Sequence, residues 1–371
     1  MLVLGIETSC DETGAAVVED GYKLLSNVVA TSLDLHAQYG GVVPEIAARS
    51  HIEAIIPVIK QALEEAKCTW DDLDAIAVTY GAGLGGCLLV GVMTARTLAI
   101  AKKKPLYAIN HVEGHVYANF LTSTGSLLPA PDRSPAAVQL WQLGDKTYAL
   151  PSQQPTFPLL ALIVSGGHSQ LALFQDHFDY KLLGQTQDDA IGEAFDKVAK
   201  ILGLPYPGGP SIEKTAQAGD AHAYSFPKAR MPGYDFSFSG VKTAVLRAVQ
   251  AECGKSHDFP SFKLAELLSD AQKANFAASF QRIAVETVVD KTLRAYEEFH
   301  PASVVIAGGV AASPVLRKDL AKRLPIDIAY TDMKLCTDNG AMIAVLGCFK
   351  MKHNQPTADP YTLETAPNLS M

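Results

Sequence analysis

His111 and His115 stand four residues apart in His-Val-Glu-Gly-His. On a helix that spacing puts both imidazoles on one face, as two ligands of one metal ion require. The bland alternative is a pair that caps or packs the helix. The zincin motif His-Glu-x-x-His shares the histidine spacing but sets its general base directly after the first histidine. Here the acid is Glu113, two residues on. At about 100° per residue it points nearly away from the pair, so the motif supplies no protease base. A third ligand must come from elsewhere, and Asp338 is one candidate. It lies in Cys336-Thr337-Asp338-Asn339-Gly340, just before an apolar run. Thr, Asp or Asn there also serves as a helix N-cap, and taken alone the cap reading is the stronger. A carboxylate with two oxygens can do both.

Small-residue turns carry the next signal. Ser165-Gly166-Gly167-His168 joins two apolar runs. Such a turn lets a phosphate approach backbone N–H groups, although a hairpin can need glycine for its own sake. Further glycine-rich turns occur at 81–86, 208–209 and 308–309, and several in one chain favour a nucleotide site. None is a P-loop, because no Gly-Lys-Ser/Thr follows, and none is a clear dinucleotide fingerprint. In Gly-Glu-Ala-Phe-Asp-Lys, Asp196 is placed to bind a ribose hydroxyl. The ordinary alternative pairs Glu193 with Lys197 and Asp196 with Lys200 at i, i+4. Asp11 and Glu12 sit in a polar turn, where an acid can orient water, a metal or an attacking amine, or simply be solvated. Lys102 to Lys104, Lys228, Arg230, Lys242 and Arg247 can neutralise RNA phosphates or form solvated surface.

The elements that must hold these residues follow from patterning. LVLGIETSCDETGAAVV reads strand, turn, strand, and LLALIVSGGHSQLALF at 159–174 repeats the pattern. Two such hairpins, each heading a run of alternating strands and helices, imply a duplicated α/β architecture. Residues 49–66 read as helical, with Ile52, Ile55, Ile56, Ile59 and Leu63 on one stripe and a kink, or a break into two shorter helices, expected at Pro57. Helices are also expected over 190–203, 270–299 and 336–350, and a stiff turn over 204–210. Residues 121–155 carry five prolines and read as a long loop with a hairpin around LWQLGDKTYAL. The expected organisation is lobe one over 1–118, completed by the helix at 336–350; a Pro-rich insertion over 119–156; lobe two over 157–335; and a flexible tail over 351–371.

Composition excludes several classes. At 371 residues, 48% apolar and 19% charged, the chain has material for two or three globular domains and is neither disordered nor coiled coil. A net charge of -8 disfavours a globally basic nucleic-acid binder but leaves room for a local patch. No run approaches the roughly 18 consecutive apolar residues of a membrane span. Asp11, Glu12 and Glu19 interrupt the apolar N-terminus, so it does not read as a signal peptide. Six cysteines without a Cys-x-x-Cys pair read as reduced, buried thiols in a cytoplasmic protein.

Taken in order, GIETSCDETGAAVV, HAQYGGVVPEIAARSH, HVEGH, LIVSGGHSQL, IGEAFDKVAKILGLPYPGGP, FSFSGVKT, AGGVAAS and CTDNGAMIA resemble the TsaD family. Its members are tRNA N6-adenosine threonylcarbamoyltransferases, formerly called O-sialoglycoprotein endopeptidases. The resemblance covers about 1–118 and 157–350. It implies an actin-like ASKHA fold, two duplicated RNase H-like lobes with a cleft between them. It implies transfer of threonylcarbamoyl from threonylcarbamoyl-adenylate to N6 of the adenosine 3′-adjacent to the anticodon, in tRNAs reading codons that start with A, with release of AMP. The implied metal ligands are His111, His115 and Asp338, holding one divalent ion, iron or alternatively zinc. The implied adenylate contacts are Ile163, Val164, Ser165, Gly166, Gly167, Asp196 and Gly209, and the catalytic-turn acid is Asp11. Ser313 stands where the family has an asparagine that touches the nucleotide, and the 121–155 segment is longer than in many relatives. Implied partners are tRNA, a TsaB-type paralogue and a TsaE-type ATPase, without a membrane. A metalloprotease, an actin-like ATPase or sugar kinase, and a non-catalytic scaffold are the competing readings.

Overall fold

The structure is a computed structural model that describes residues 1–123 and 138–371. The chain opens with β1 (Leu2–Glu7), β2 (Glu12–Glu19), β3 (Lys23–Thr31), α1 (Leu33–Ala37) and α2 (Pro44–Ala66). It continues through β4 (Ala75–Gly81), α3 (Gly85–Lys102), β5 (Leu106–Asn110), α4 (His111–Tyr117) and the hairpin β6 (Val138–Leu143) and β7 (Lys146–Pro151). The second half runs β8 (Leu159–Val164), β9 (Ser169–Asp176), β10 (Asp179–Gln185), α5 (Ile191–Leu202), α6 (Gly208–Ala216), α7 (Ser239–Glu252) and α8 (Asp270–Phe299). β11 (Ser303–Ala307), α9 (Pro314–Arg323), β12 (Ile328–Ala329) and α10 (Gly340–Lys352) complete it.

Two five-stranded sheets repeat one topology. The first has the order β3-β2-β1-β4-β5 and the second β10-β9-β8-β11-β12. β1 pairs antiparallel with β2 from Leu2↔Glu19 to Glu7↔Gly14 and parallel with β4. In the same way β8 pairs antiparallel with β9 from Leu159↔Phe174 to Val164↔Ser169. The duplicated α/β reading, and with it the actin-like ASKHA fold class, holds. Two compact units emerge: Met1–Thr156 with Val305–Gly308 and Ala329–Met371, and Phe157–Val304 with Gly309–Ile328.

Strand alternation decides what each face of the first sheet meets. Leu4, Ile6, Ala15 and Val17 join Ile55 and Ile59 of α2 and Val92 and Ala95 of α3 in one core cluster. On the opposite face Gly5 lies against the main chain of Gly340 and Ala344 in α10, where any Cβ would collide. That close approach seats α10 across β1, beside the turn that follows it.

Several details differ from the sequence reading. α2 is one 23-residue helix running through Pro57. Its buried face is Ala47, His51, Ile55, Val58, Ile59, Ala62 and Leu63, while Ile52 and Ile56 of the expected stripe are exposed. Gly208 and Gly209 open α6 rather than close a loop. The expected hairpin forms within the insertion, and the Pro-rich residues 124–137 lie outside the described residues. The hairpin is fastened to β3: Trp141 Nε1 donates to the Leu24 carbonyl at 3.0 Å and Lys146 Nζ to that of Asn27 at 3.0 Å.

The C-terminal segment, expected to fray, is tied to the first unit. The Ala358 N–H donates to the Leu106 carbonyl, Ala366 N–H to that of Tyr80, and the Gly83 N–H to that of Pro367. Arg96 donates to the carbonyls of Pro360, Tyr361 and Leu363. These main-chain partners are invisible to composition. Among the described residues one helix, α3, is long and apolar enough to cross a membrane. It packs on α2 and β4, with Cys87, Leu88, Gly91, Val92, Ala95 and Ala99 buried.

Candidate active site

β5 delivers the chain to Asn110, whose side-chain oxygen caps α4 by accepting from the N–H groups of Val112 and Glu113. Its Nδ2 donates to the Ser370 carbonyl at 3.0 Å, so the C-terminal segment also touches this cap. One helical turn then sets the two imidazoles edge to face, with ring centroids 4.7 Å apart. Both Nε2 atoms face Asp338 Oδ1, His115 at 3.2 Å and His111 at 3.5 Å. Two ligands on a tetrahedral ion with bonds of about 2.0–2.2 Å lie about 3.4 Å apart, so the two His–Asp separations suit one ion, and all three ligand atoms fall within 4.8 Å of one another. The cap of α10 is Asn339 rather than Asp338. Asn339 Oδ1 accepts from Ala341 N and Met342 N, while the Asp338 carboxylate faces the histidines.

The donor set fits a metal on independent grounds. Both ring nitrogens of His115 are buried without a hydrogen-bond partner among the described residues. Burying such groups unpaired is costly, and coordination of Nε2 removes much of that cost. Burial opposes the charged form of His111, but Asp338 and Glu7 outweigh it and hold its pKa up at about 9. Burial, reinforced by Asp338 and Asp11, pushes Glu12 up to about 10. A cation placed among Asp11, Glu12 and Asp338 would reverse that logic. Burial, reinforced by Asp11, also pushes the Cys10 thiol up.

Glu113 is buried on the other side of α4, its carboxyl pushed up by burial and opposed by Lys350. Lys350 is in turn pulled down by burial. Its charged neighbour is Lys350 of α10. Asp11 lies buried in the turn after β1, its carbonyl accepting from Ser32 N and Ser32 Oγ.

The second unit holds the remaining expected residues. Ser165, Gly166 and Gly167 form the β8–β9 turn, closed by Ser165 N–H on the His168 carbonyl and His168 N–H on Ser165 Oγ. Space beyond Gly166 and Gly167 is open where a Cβ would project. α5 starts on this turn, since Gly192 N–H donates to the Ser165 carbonyl. Ile163 and Val164 are fully buried in β8, so their side chains serve the core. On α5, Asp196 Oδ1 accepts from Gly208 N–H at 2.7 Å, which ties the first turn of α6 to it. Gly209 beside it has open space. Glu193 makes its ordinary pair with Lys197 at 2.8 Å. Ser313 caps α9, and its hydroxyl also bonds Glu213, a residue that sequence reasoning missed. Nothing in the local pattern of Glu213 marks it, because its partner lies on another element.

A twice-repeated sheet with a His-His-Asp cluster set between β5, α4 and α10 defines an actin-like protein carrying a metal-compatible site. The model of the TsaD family, described as tRNA N6-adenosine threonylcarbamoyltransferase, matches residues 23–135 and 146–345, and the chain belongs to that family. A relative of that description from Thermomicrobium roseum is 48% identical over 93% of this chain and 90% of its own. One from Caldicellulosiruptor saccharolyticus is 45% identical over 100% of this chain and 98% of its own. Among solved structures, HypF of T. kodakarensis matches with a TM-score of 0.54 at 12% identity, over 95% of this chain and 48% of that one. That likeness is one of fold. The transferase reading therefore stands ahead of the metalloprotease and the actin-like ATPase.

Proposed function

We propose that this chain moves the threonylcarbamoyl group from threonylcarbamoyl-adenylate to N6 of the adenosine 3′-adjacent to the anticodon, in tRNAs reading codons that start with A, and releases AMP. The observation that carries this reading, within the family, is the convergence of His111 and His115 on Asp338 with His115 otherwise unpartnered among the described residues. The reaction forms a bond between N6 and the carbamoyl carbon. It breaks the bond from that carbon to the phosphate oxygen. AMP leaves with that electron pair, and N6 gives up a proton. The donor arrives activated, so the protein has to align the amine, hold the phosphate and accept the proton.

A divalent cation on His111, His115 and Asp338, iron or alternatively zinc, would supply Lewis acidity toward an acyl oxygen. In the Ser165–Gly167 turn, the Ser165 N–H is spent on the His168 carbonyl, and Gly166 and Gly167 bring their N–H groups to the phosphate across open space. Ile163 and Val164 contribute main chain alone, because their side chains are core. Asp196 holds the ribose, and Gly209 permits the nucleotide to approach α6 closely. Ser313 has a shorter reach than the asparagine of the family, and its hydroxyl already bonds Glu213. Asp11 orients N6 or takes its proton.

The partner reading, a TsaB-type paralogue with a TsaE-type ATPase, draws support from one surface. α2 and α3 pack on each other and expose Ile52, Ile56, Leu89, Met93 and Ile100. Exposed apolar groups on adjoining helices suit a helical partner. All six cysteines are free, in keeping with a cytoplasmic site of action.

The test combines the chain with unmodified tRNA and enzymatically made threonylcarbamoyl-adenylate, with and without both partners. Nucleosides are read by mass spectrometry. Threonylcarbamoyl-adenosine is expected, and its loss in His111→Ala ties the product to the site. No product from metal-loaded protein with every partner present overturns the reading.

A further inference from the structure

Glu7 has no exposed surface and is neither one of the three clustered ligand residues nor, among the described residues, a partner of lysine or arginine. It ends β1, and its carboxylate meets groups from three places. Ser9 N–H donates to Oε1 at 2.5 Å. Thr79 Oγ1, on the neighbouring strand β4, donates to Oε2 at 2.5 Å. His111 Nδ1, on α4, lies 3.2 Å from the same Oε2. Both oxygens of Glu7 already accept, one from Ser9 N–H and one from Thr79 Oγ1, so the group acts here as an acceptor. A hydrogen bond between Glu7 and His111 therefore needs the proton on Nδ1. In the neutral ring that ligates a metal ion, the lone pair then sits on Nε2, the nitrogen on the Asp338 side.

We propose that Glu7 is a positioning residue that fixes the tautomer and the ring orientation of His111, so that Nε2 is the atom offered to the metal. This rests on the metal-centre reading of the cluster. The arrangement is a carboxylate–histidine–metal relay, in which the outer acceptor orients the ligand and raises its basicity. Ser9 Oγ, 3.1 Å from the same Nδ1, is a second oxygen within reach, and its own main chain is held by Glu7. The two histidines differ sharply in this respect. His115 Nδ1 has no partner among the described residues, so no hydrogen bond there selects its tautomer. His111 is the preorganised ligand and His115 the one that coordination itself must orient.

Glu7→Gln tests this with almost no change of volume. The amide oxygen of glutamine can keep the Ser9 N–H bond. Its NH2 then faces Thr79 Oγ1, which can accept, and His111 Nδ1, which must also accept. The imidazole proton moves to Nε2, where it blocks ligation. Zn2+ affinity, titrated against a chelating indicator in the full chain, should fall about 10–100-fold. Thr79→Val removes a donor to Glu7 but leaves the acceptor for His111, and should lower affinity far less.

A second readout needs no variant of Glu7. In Zn2+-loaded, 15N-histidine-labelled protein, His111 should show a directly bonded proton on Nδ1, assigned by its loss in His111→Ala. A proton on Nε2 of His111 overturns the proposal, even where Glu7→Gln fails to fold. Wild-type Zn2+ affinity retained in folded Glu7→Gln overturns it as well. Both results would leave the metal centre standing. Failure of the wild-type chain to bind Zn2+ at all would remove the metal centre and Glu7's role together.

Discussion

His51 shows how a side chain remote from the chemistry can hold a turn that matters. It is fully buried, with Nδ1 2.7 Å from Thr13 Oγ1 and Nε2 3.0 Å from the Cys10 carbonyl. The carbonyl can only accept, so Nε2 carries the proton and the neutral ring is satisfied at both ends. Burial pulls its pKa below 6.5, against the opposing pull of the Cys10 carbonyl, Glu7 and Asp11. The sign follows directly: below 6.5 the unfolded chain takes up a proton that the native ring resists, so stability is lost as pH falls from 6.5 toward the depressed native value. Melting at pH 7.5 and 5.5 should show a smaller acid loss in His51→Gln than in the wild type. Equal losses would clear His51 of that role. At this scale the sequence was legible where spacing carries the signal, as in His111 and His115. Glu7 was not legible, because its histidine lies 104 residues away. Asp338 was ambiguous for a physical reason too, since it adjoins a residue able to take the cap in its place.

Helices and their ends set the precision of the site. Asn110 holds α4 from one side and the Ser370 carbonyl from the other. Asn110→Ala should cost about 1 kcal/mol of stability for the cap alone. It should also weaken Zn2+ binding, because the first residue of the capped helix is a ligand. A stability loss with unchanged affinity would mean that packing, not the cap, aims His111. α2 teaches a different lesson. Five apolar positions shared one broad stripe, and periodicity could not say which of them face the sheet. The structure turns Ile55 and Ile59 inward and Ile52 outward, at 65% exposure, the highest of its apolar neighbours on the helix. Ile52→Arg with Met93→Arg should change melting little, since exposed positions usually move stability by about 0.5 kcal/mol or less each. The pair should abolish co-elution with a TsaB-type paralogue. Retained co-elution would move the docking face elsewhere.

At the scale of the molecule, metal should act on one unit. Zn2+ at 100 times its dissociation constant adds about 2.7 kcal/mol to whatever unfolds with the site. His111, His115 and Asp338 all belong to the first unit, so calorimetry with and without chelator should move its transition and leave that of the second unit in place. A uniform shift of both would mean the units unfold as one. The fold class was legible because strand–turn–strand patterns recur at the head of each half. The course of the C-terminal segment was not, because it is held through backbone groups and Arg96 rather than by an apolar stripe. The first unit draws its sequence from both sides of the second. On the ribosome, Glu7 and both histidines therefore emerge long before Asp338. Until α10 follows, the glycine-bearing face of the first sheet has no cover and the two imidazoles have no carboxylate between them. Domains generally fold in the order they are made, but here the first begun is the last finished. The second unit can complete its own sheet while the first still waits. The three-ligand site is therefore complete only once Asp338 has emerged, and the sheet face that α10 covers is bare until then.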